Sequence, residues 1–243
     1  MSKKIGVLLS GCGYLDGAEI REAVLTLLAL DKDGVEVSIF APNEQQHHVV
    51  NHLEADESKN EKRNTFIEAS RIARGQITPL ENVKSDELDG LIIPGGYGVA
   101  KNLCEFAFKG HQATTNEKVK NLILDIYKAK KPIGALCIAP ALVSLVLGEH
   151  GVQVTIGNDK ETAQEIEKTG AQHINKDSHE AHADQNHKVT VLCESPNYPQ
   201  GSVHKGYSNS WLEVEKRAKN LTVMRTKAYA SDRKTTLKKN ELL

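Results

Sequence analysis

Apolar and polar positions fall along the chain in blocks of two kinds, and the two kinds alternate. Ile5 to Leu9 is an unbroken apolar run that ends in the turn signal Ser10-Gly11-Cys12-Gly13. Such a run predicts a parallel strand buried on both faces. Ala18 to Leu30 follows, with Ile20, Val24, Leu27 and Leu28 at helical spacing. Gly34 comes after that helix, and Val35 to Phe40 reads as a second strand. Strand, helix and strand in this order predict parallel pairing through a right-handed crossover.

Leu53 to Arg63 is polar and predicts a surface loop. Asn64 to Arg74 has helical spacing at Phe66, Ile67, Ser70 and Ile72, with Asn64 placed to cap it. Leu88 to Gly96 runs from a short apolar strand into Pro94 and a glycine pair. Helices are predicted over Val99 to Phe108 and Glu117 to Lys130. Pro132 to Leu136 is a short buried strand, followed at once by Cys137 and the apolar run Ile138 to Leu147. Val152 to Ile156 is a weaker strand, and Glu161 to Thr169 a helix that Gly170 can end. No internal repeat or low-complexity block interrupts the pattern. The alternation predicts one doubly wound α/β domain with its functional groups at the C-terminal ends of the strands.

Composition narrows the class. A hydrophobic fraction of 39% and a charged fraction of 26% are those of an ordinary soluble globular protein. A net charge of -1 supplies no global field toward nucleic acid or membrane, so neither is expected as a partner. The charge is uneven, however, with an acidic excess up to residue 187 and a basic excess from 188 to 243. No stretch approaches the roughly 18 apolar residues of a membrane span. The first 20 residues hold Asp16 and Glu19 and no Arg, so no clear targeting peptide is expected. Cys12, Cys104, Cys137 and Cys193 show no CxxC spacing, which argues against a zinc ribbon and for free thiols in a reducing compartment.

Gly134-Ala135-Leu136-Cys137-Ile138-Ala139-Pro140 carries the sharpest signal. A strand enters and a helix leaves with no residues to spare for a loop. Such a turn strains its central residue and needs small neighbours two before and two after, which Ala135 and Ala139 supply. Pro140 suits a first helical turn. A cysteine here sits at the positive end of a helix, which favours the thiolate. A buried structural cysteine is the plainer alternative. Gly95 and Gly96, in Pro94-Gly95-Gly96-Tyr97-Gly98, end another strand, and their amides with that of Ile138 could hold an oxyanion. The alternative there is a tight turn before a helix. Glu19 lies at the start of the first helix, either as an acid or base near the crevice or as a carboxylate favoured by the helix dipole. Cys12 could line the same pocket. His47, His48 and His52 fall on a predicted helix, but without an HExxH pattern a solvated face is expected. His173, His179, His182 and His187 lie in a polar run that predicts a loop, and Ile138 rather than His follows Cys137, so no Cys-His-acid triad is evident.

Taken together, the segments resemble the ElbB family, described as isoprenoid-biosynthesis proteins with amidotransferase-like domains, within the PfpI and class I glutamine-amidotransferase-like superfamily. The matching stretches are Lys4 to Gly13, Asp16 to Val24, Phe40 to Pro42, Arg71 to Gly75, Ile93 to Leu103 and Pro132 to Pro140. The resemblance implies a flavodoxin-like three-layer sandwich with a mainly parallel sheet and a nucleophile elbow at Cys137. It implies a carboxylate at Glu19 and a pocket that includes Cys12 and Asn102. It also implies a cofactor-independent glyoxalase-type activity on small aldehydes, glyoxal to glycolate, with no metal. A homodimer in the cytoplasm or, as for animal members, in mitochondria is expected. Glutaminase activity is not expected, because no motif places the histidine it needs. A redox-sensing protein without turnover is the alternative. The resemblance runs to about residue 190. Residues 191–243 depart from the family's Thr-Pro turn and closing helix, as an alternative transcript or a change of reading frame near residue 190 would produce. Trp211 to Asn220 could form a short helix, and Arg225 to Leu243 reads as a poorly ordered basic tail.

Overall fold

A computed structural model describes residues 3–176 and 180–192. The expectations for the tail beyond Leu192, for His179 and for Cys193 lie outside the described residues, while Val191 and Leu192 end a buried strand paired with that of Ile133–Leu136. In chain order the elements begin with β1 (Lys4–Leu8), α1 (Ile20–Lys32), β2 (Glu36–Ala41), β3 (Val50–Asn51) and β4 (Asp56–Glu57). They continue with α2 (Thr65–Ile72), β5 (Thr78–Pro79), β6 (Gly90–Ile93), a π-helical turn (Val99–Leu103) and α3 (Phe106–Lys109). The remainder are α4 (Glu117–Lys128), β7 (Ile133–Leu136), α5 (Ala139–Leu147), β8 (Gln153–Val154), α6 (Lys160–Glu167), β9 (Gln172–His173), β10 (Ala181–Asp184) and β11 (Val189–Leu192).

The main sheet has the order β10-β11-β7-β6-β1-β2-β5. Every pairing in it is parallel except that of the edge strand β10 with β11. β1 lies between β2 and β6, so the apolar run Ile5 to Leu9 is the central strand its composition predicts. The chain moves outward from β1 in one direction to β2 and in the other to β6. That reversal of strand order opens a crevice at the C-terminal ends of β1 and β6, where open α/β sheets bind ligands. Helices cover both faces. One core joins α4 and α5 to the sheet through Val119, Ile123, Ile126, Leu142 and Leu147. The other joins α1 and α2 through Ala23, Leu30 and Ala69. The architecture is the flavodoxin-like three-layer sandwich.

Three local expectations are corrected. The apolar stripe that marks α1 in the sequence turns outward, since Ile20, Val24 and Leu28 are exposed. The face against the sheet carries Glu22, Ala23, Leu25, Thr26, Ala29 and Leu30 instead. Small residues there bring the helix close to the strands. The helix expected to carry His47, His48 and His52 does not form. Its backbone groups are spent on tertiary partners: Gln46 N–H donates to Arg63 O at 2.8 Å, Glu44 O accepts from Thr65 N–H at 2.8 Å, and Val50 N–H donates to Asp16 Oδ2 at 2.7 Å. The polar loop after it contains β4, which pairs back onto β3 as a hairpin. The helix expected over Val99 to Phe108 is split, because Cys104 N–H reaches back five residues to Val99 O at 3.2 Å and Cys104 itself is extended.

The Asn64 cap forms as expected, its Oδ1 accepting from Ile67 N–H at 3.0 Å. Asn64→Ala should cost about 1 kcal/mol. Ile123→Ala, in the fully buried core of α4, should cost about 2–5 kcal/mol. Urea unfolding of the two variants against the parent would check both values and their order.

Candidate active site

Cys137 stands at the junction of β7 and α5 with φ +54°, a conformation that a residue with a Cβ adopts at a cost of about 1–3 kcal/mol. The surroundings impose it. β7 is locked between β6 and β11, and Cys137 N–H donates to Leu192 O at 2.8 Å. On the other side α5 begins at once, with Pro140 in its first turn. Leu142, Val143 and Leu147 of α5 are fully buried, each contributing about 1.5–3 kcal/mol, so docking of the helix outweighs the strain of the turn. The flanking Ala135 and Ala139 have no exposed surface, which leaves no room for larger side chains. Cys137 itself is half-buried.

Gly95 at the end of β6 closes the site from the neighbouring strand. A Cβ placed there would lie 2.5 Å from Cβ of Cys137 and 2.8 Å from Oε2 of Glu22. The glycine therefore marks the place where Cβ of Cys137 and the Glu22 carboxyl approach each other. Its N–H donates to Glu22 Oε2 at 2.7 Å and its C=O accepts from Glu19 N–H at 2.9 Å. Glu22 is buried, on the third residue of α1, where the positive end of the helix favours a carboxylate.

Glu19 has a different place. It is the N-cap of α1, its Oε2 accepting from Glu22 N–H at 2.8 Å and its Oε1 from Arg21 Nε at 3.0 Å. The sequence did not single out Glu22. The available signal was Glu19 followed three residues later by Glu22, a spacing that puts the first at a helix cap and turns the second inward. Of the three amides expected to face an oxyanion, that of Gly95 is committed to Glu22. Ile138 precedes α5 directly, and its amide belongs to the helix start, where backbone N–H groups lack intrahelical acceptors. Gly96 has φ +94°, and a Cβ on it would run into Glu19 N and Gly17 O.

Cys12 and Asn102 sit in the loops around this centre. Cys12 is half-buried, and burial pushes its thiol up, with Glu68 adding to the effect and Arg71 opposing it. Asn102, in the π-helical turn, donates through Nδ2 to Ser10 O at 2.9 Å and to Asp16 O at 2.8 Å, and accepts from His47 N–H at 2.9 Å. Several histidines are engaged outside the Gly95 junction: His111 with Glu165, His187 with Asp184, His52 with Leu15 N–H and Val50 O, and His173 with Ile156 N–H. Among the described residues no group of three or more His, Cys, Asp or Glu could hold a metal ion. No described helix is long and apolar enough to cross a membrane.

The cysteines differ in environment. Burial pushes the Cys104 thiol up to about 12, so it stays protonated across the neutral range. A folded-state value above the usual 9.0 means that the folded protein holds the proton where the unfolded chain releases it, and Cys104 weakens the fold as pH rises from 9 toward 12. At pH 7–8 iodoacetamide should label Cys137 before Cys12 or Cys104, as read by peptide mass mapping. Gly95→Ala should slow that labelling by at least about tenfold, because the new methyl displaces either Cys137 or Glu22.

Comparison with known proteins shows the family. Residues 12–191 match the model of the DJ-1/PfpI family. The human glutamine amidotransferase-like class 1 domain-containing protein 3, mitochondrial, is 42% identical over 205 residues, covering 79% of this chain and 76% of its own length. The ES1 protein, mitochondrial, of Danio rerio is 33% identical over 201 residues, covering 76% of this chain and 74% of its own. The crystal structure of an isoprenoid biosynthesis protein with amidotransferase-like domain from Ehrlichia chaffeensis superposes with a TM-score of 0.79 at 36% identity, covering 91% of this chain and 99% of that one. With the matched segment spanning β6, β7 and the Cys137 turn, the chain belongs to the DJ-1/PfpI family.

Proposed function

We propose that the protein is a cysteine-dependent, cofactor-independent enzyme that isomerises and hydrates small dicarbonyls, with glyoxal to glycolate as the simplest case. The observation that carries the reading is the approach at Gly95: a half-buried cysteine on a forced turn, its Cβ beside a buried carboxyl. The start of α5 favours the Cys137 thiolate. The thiolate adds to one aldehyde carbon, giving a hemithioacetal whose oxyanion the Ile138 amide can receive. A base then takes the proton from that carbon and returns one to the neighbouring carbon. The first carbon is oxidised and the second reduced within one molecule, so no external oxidant is consumed. The resulting thioester is cleaved by water, which releases the 2-hydroxy acid and the thiolate.

Glu22 is the carboxyl best placed for the proton transfer. Its Oε2 lies at the Gly95 junction that Cys137 also touches, whereas Glu19 is held on the helix cap by Glu22 N–H and Arg21. A charged base within reach of two adjacent carbons is what the shuttle requires.

Purified full-length protein should convert glyoxal to glycolate, followed by product chromatography. Cys137→Ala should abolish turnover. Glu22→Gln should lower kcat by about 10²–10⁴ while Glu19→Gln changes it far less. Undiminished turnover by the Cys137 variant rejects the reading. Wild-type protein that turns over no dicarbonyl, yet oxidises selectively at Cys137 under peroxide, supports the redox-sensing alternative instead.

A further inference from the structure

We propose that Asn102 is a positioning residue for the Cys137–Glu22 pair, acting through the loop that sets the start of α1; its catalytic reading rests on the function proposed above. Asn102 touches neither Cys137 nor Glu22 in any of its hydrogen bonds. Its amide instead holds both ends of the segment after β1, with one proton on Ser10 O at 2.9 Å and the other on Asp16 O at 2.8 Å. Its Oδ1 takes His47 N–H at 2.9 Å, which adds the stretch leading to β3. One side chain thus spends two donors and an acceptor on three backbone groups of two separate segments.

The segment it holds is the one that places Glu22. Ser10 leaves β1 and Asp16 stands three residues before the Glu19 cap. Between them Gly13 N–H donates to Ala18 O at 2.9 Å, closing the loop on itself. The loop is then laced to the strand end that carries Gly95, through Tyr97 N–H to Tyr14 O at 2.7 Å, Gly98 N–H to Gly17 O at 2.9 Å and Glu19 N–H to Gly95 O at 2.9 Å. Gly98 permits this approach, since a Cβ there would meet Gly17 Cα at 2.5 Å and Ser10 O at 2.6 Å. Asp16 and Gln46 reinforce the same point: buried Asp16 accepts Val50 N–H on Oδ2 at 2.7 Å, and Gln46 Nε2 donates to Asp16 O at 3.2 Å. The π-helical turn has a purpose in this arrangement. The i→i+5 bond from Cys104 to Val99 widens the turn in which Asn102 lies, and Asn102 Nδ2 leaves that turn to reach Ser10 and Asp16. A shift of the loop carries the first turn of α1 with it, and Glu22 moves relative to Gly95 and Cys137.

Asn102→Asp keeps the side-chain shape and the acceptor for His47 but removes both donors. In the full chain it should lower kcat/KM for glyoxal by about 10- to 100-fold, as a small misplacement of reacting groups does. The same substitution made in Glu22→Gln protein should cost less than about threefold, because the carboxyl it positions is already gone. The pH midpoint of iodoacetamide labelling at Cys137 should move in Asn102→Asp, a readout that loss of stability alone leaves in place. Equal fold losses in the two backgrounds, or a folded variant with the parent's labelling profile, would overturn the assignment. Should Asn102→Asp fail to fold, Asn102→Gln, which keeps the amide but displaces it by one methylene, is read by the same two criteria. If the parent turns over no glyoxal, the proposed function fails while the labelling profile still decides the role of Asn102.

Discussion

The grip of α1 on Gly95 is the contact on which the site depends. The first turn of the helix takes the N–H of that glycine on the Glu22 carboxylate and gives the Glu19 N–H to its carbonyl. The two bonds fix the peptide units on either side of Gly95, and the missing Cβ lets Cys137 pack beside it. A carboxylate held by a backbone N–H and buried beside a helix start retains stabilising partners in place of water. Burying Glu22 without such partners would cost several kcal/mol. The glycine is therefore both a spacer and a donor, and any larger residue would separate the two groups that the site brings together.

The strain at Cys137 and the loops around β1 follow from the same constraint. A residue at φ +54° survives because the strand before it is paired on both sides and the helix after it is apolar along its length. The carboxyl comes from a different layer, on a helix whose start is set by a loop of ten residues or so. Loops of that kind wander unless tied down. Here the ties are backbone bonds to the strand that carries Gly95 and the side chains of Asn102, Asp16 and Gln46. Hydrogen-bonded buried polar groups of this sort trade little net stability for a unique geometry. The glycines at 17, 95, 96 and 98 allow the two loops to lie against each other without side chains between them.

Much of this was legible in the sequence because it is local. The run Ile5 to Leu9 could be placed as a central strand, and Gly134 to Pro140 could be read as a turn with Cys137 at its apex, since both are set by immediate neighbours. The choice between Glu19 and Glu22 was not local. Apolar spacing drew the buried face of α1 through Ile20, Val24 and Leu28, which would turn Glu22 toward solvent. The sheet selects the opposite face because Ala23, Thr26 and Ala29 allow closer packing than the larger side chains do. The helix after Gly98 breaks at the five-residue bond from Cys104 to Val99, whereas the one around His48 is absent because its backbone groups bond to residues far along the chain. Asn102 could be picked out as a residue of interest, but its role as a tie between loops depends on contacts that no spacing encodes.

The most direct test of the account is the ionisation of the elbow thiol itself, followed by thiolate absorbance at 240 nm as a difference between the parent and Cys137→Ala across pH 4–10. The expected result is one titrating thiol with a midpoint below the usual cysteine value of 9.0, and a displaced midpoint when Glu22 is replaced by Gln. A midpoint at or above that value, insensitive to Glu22, would contradict it.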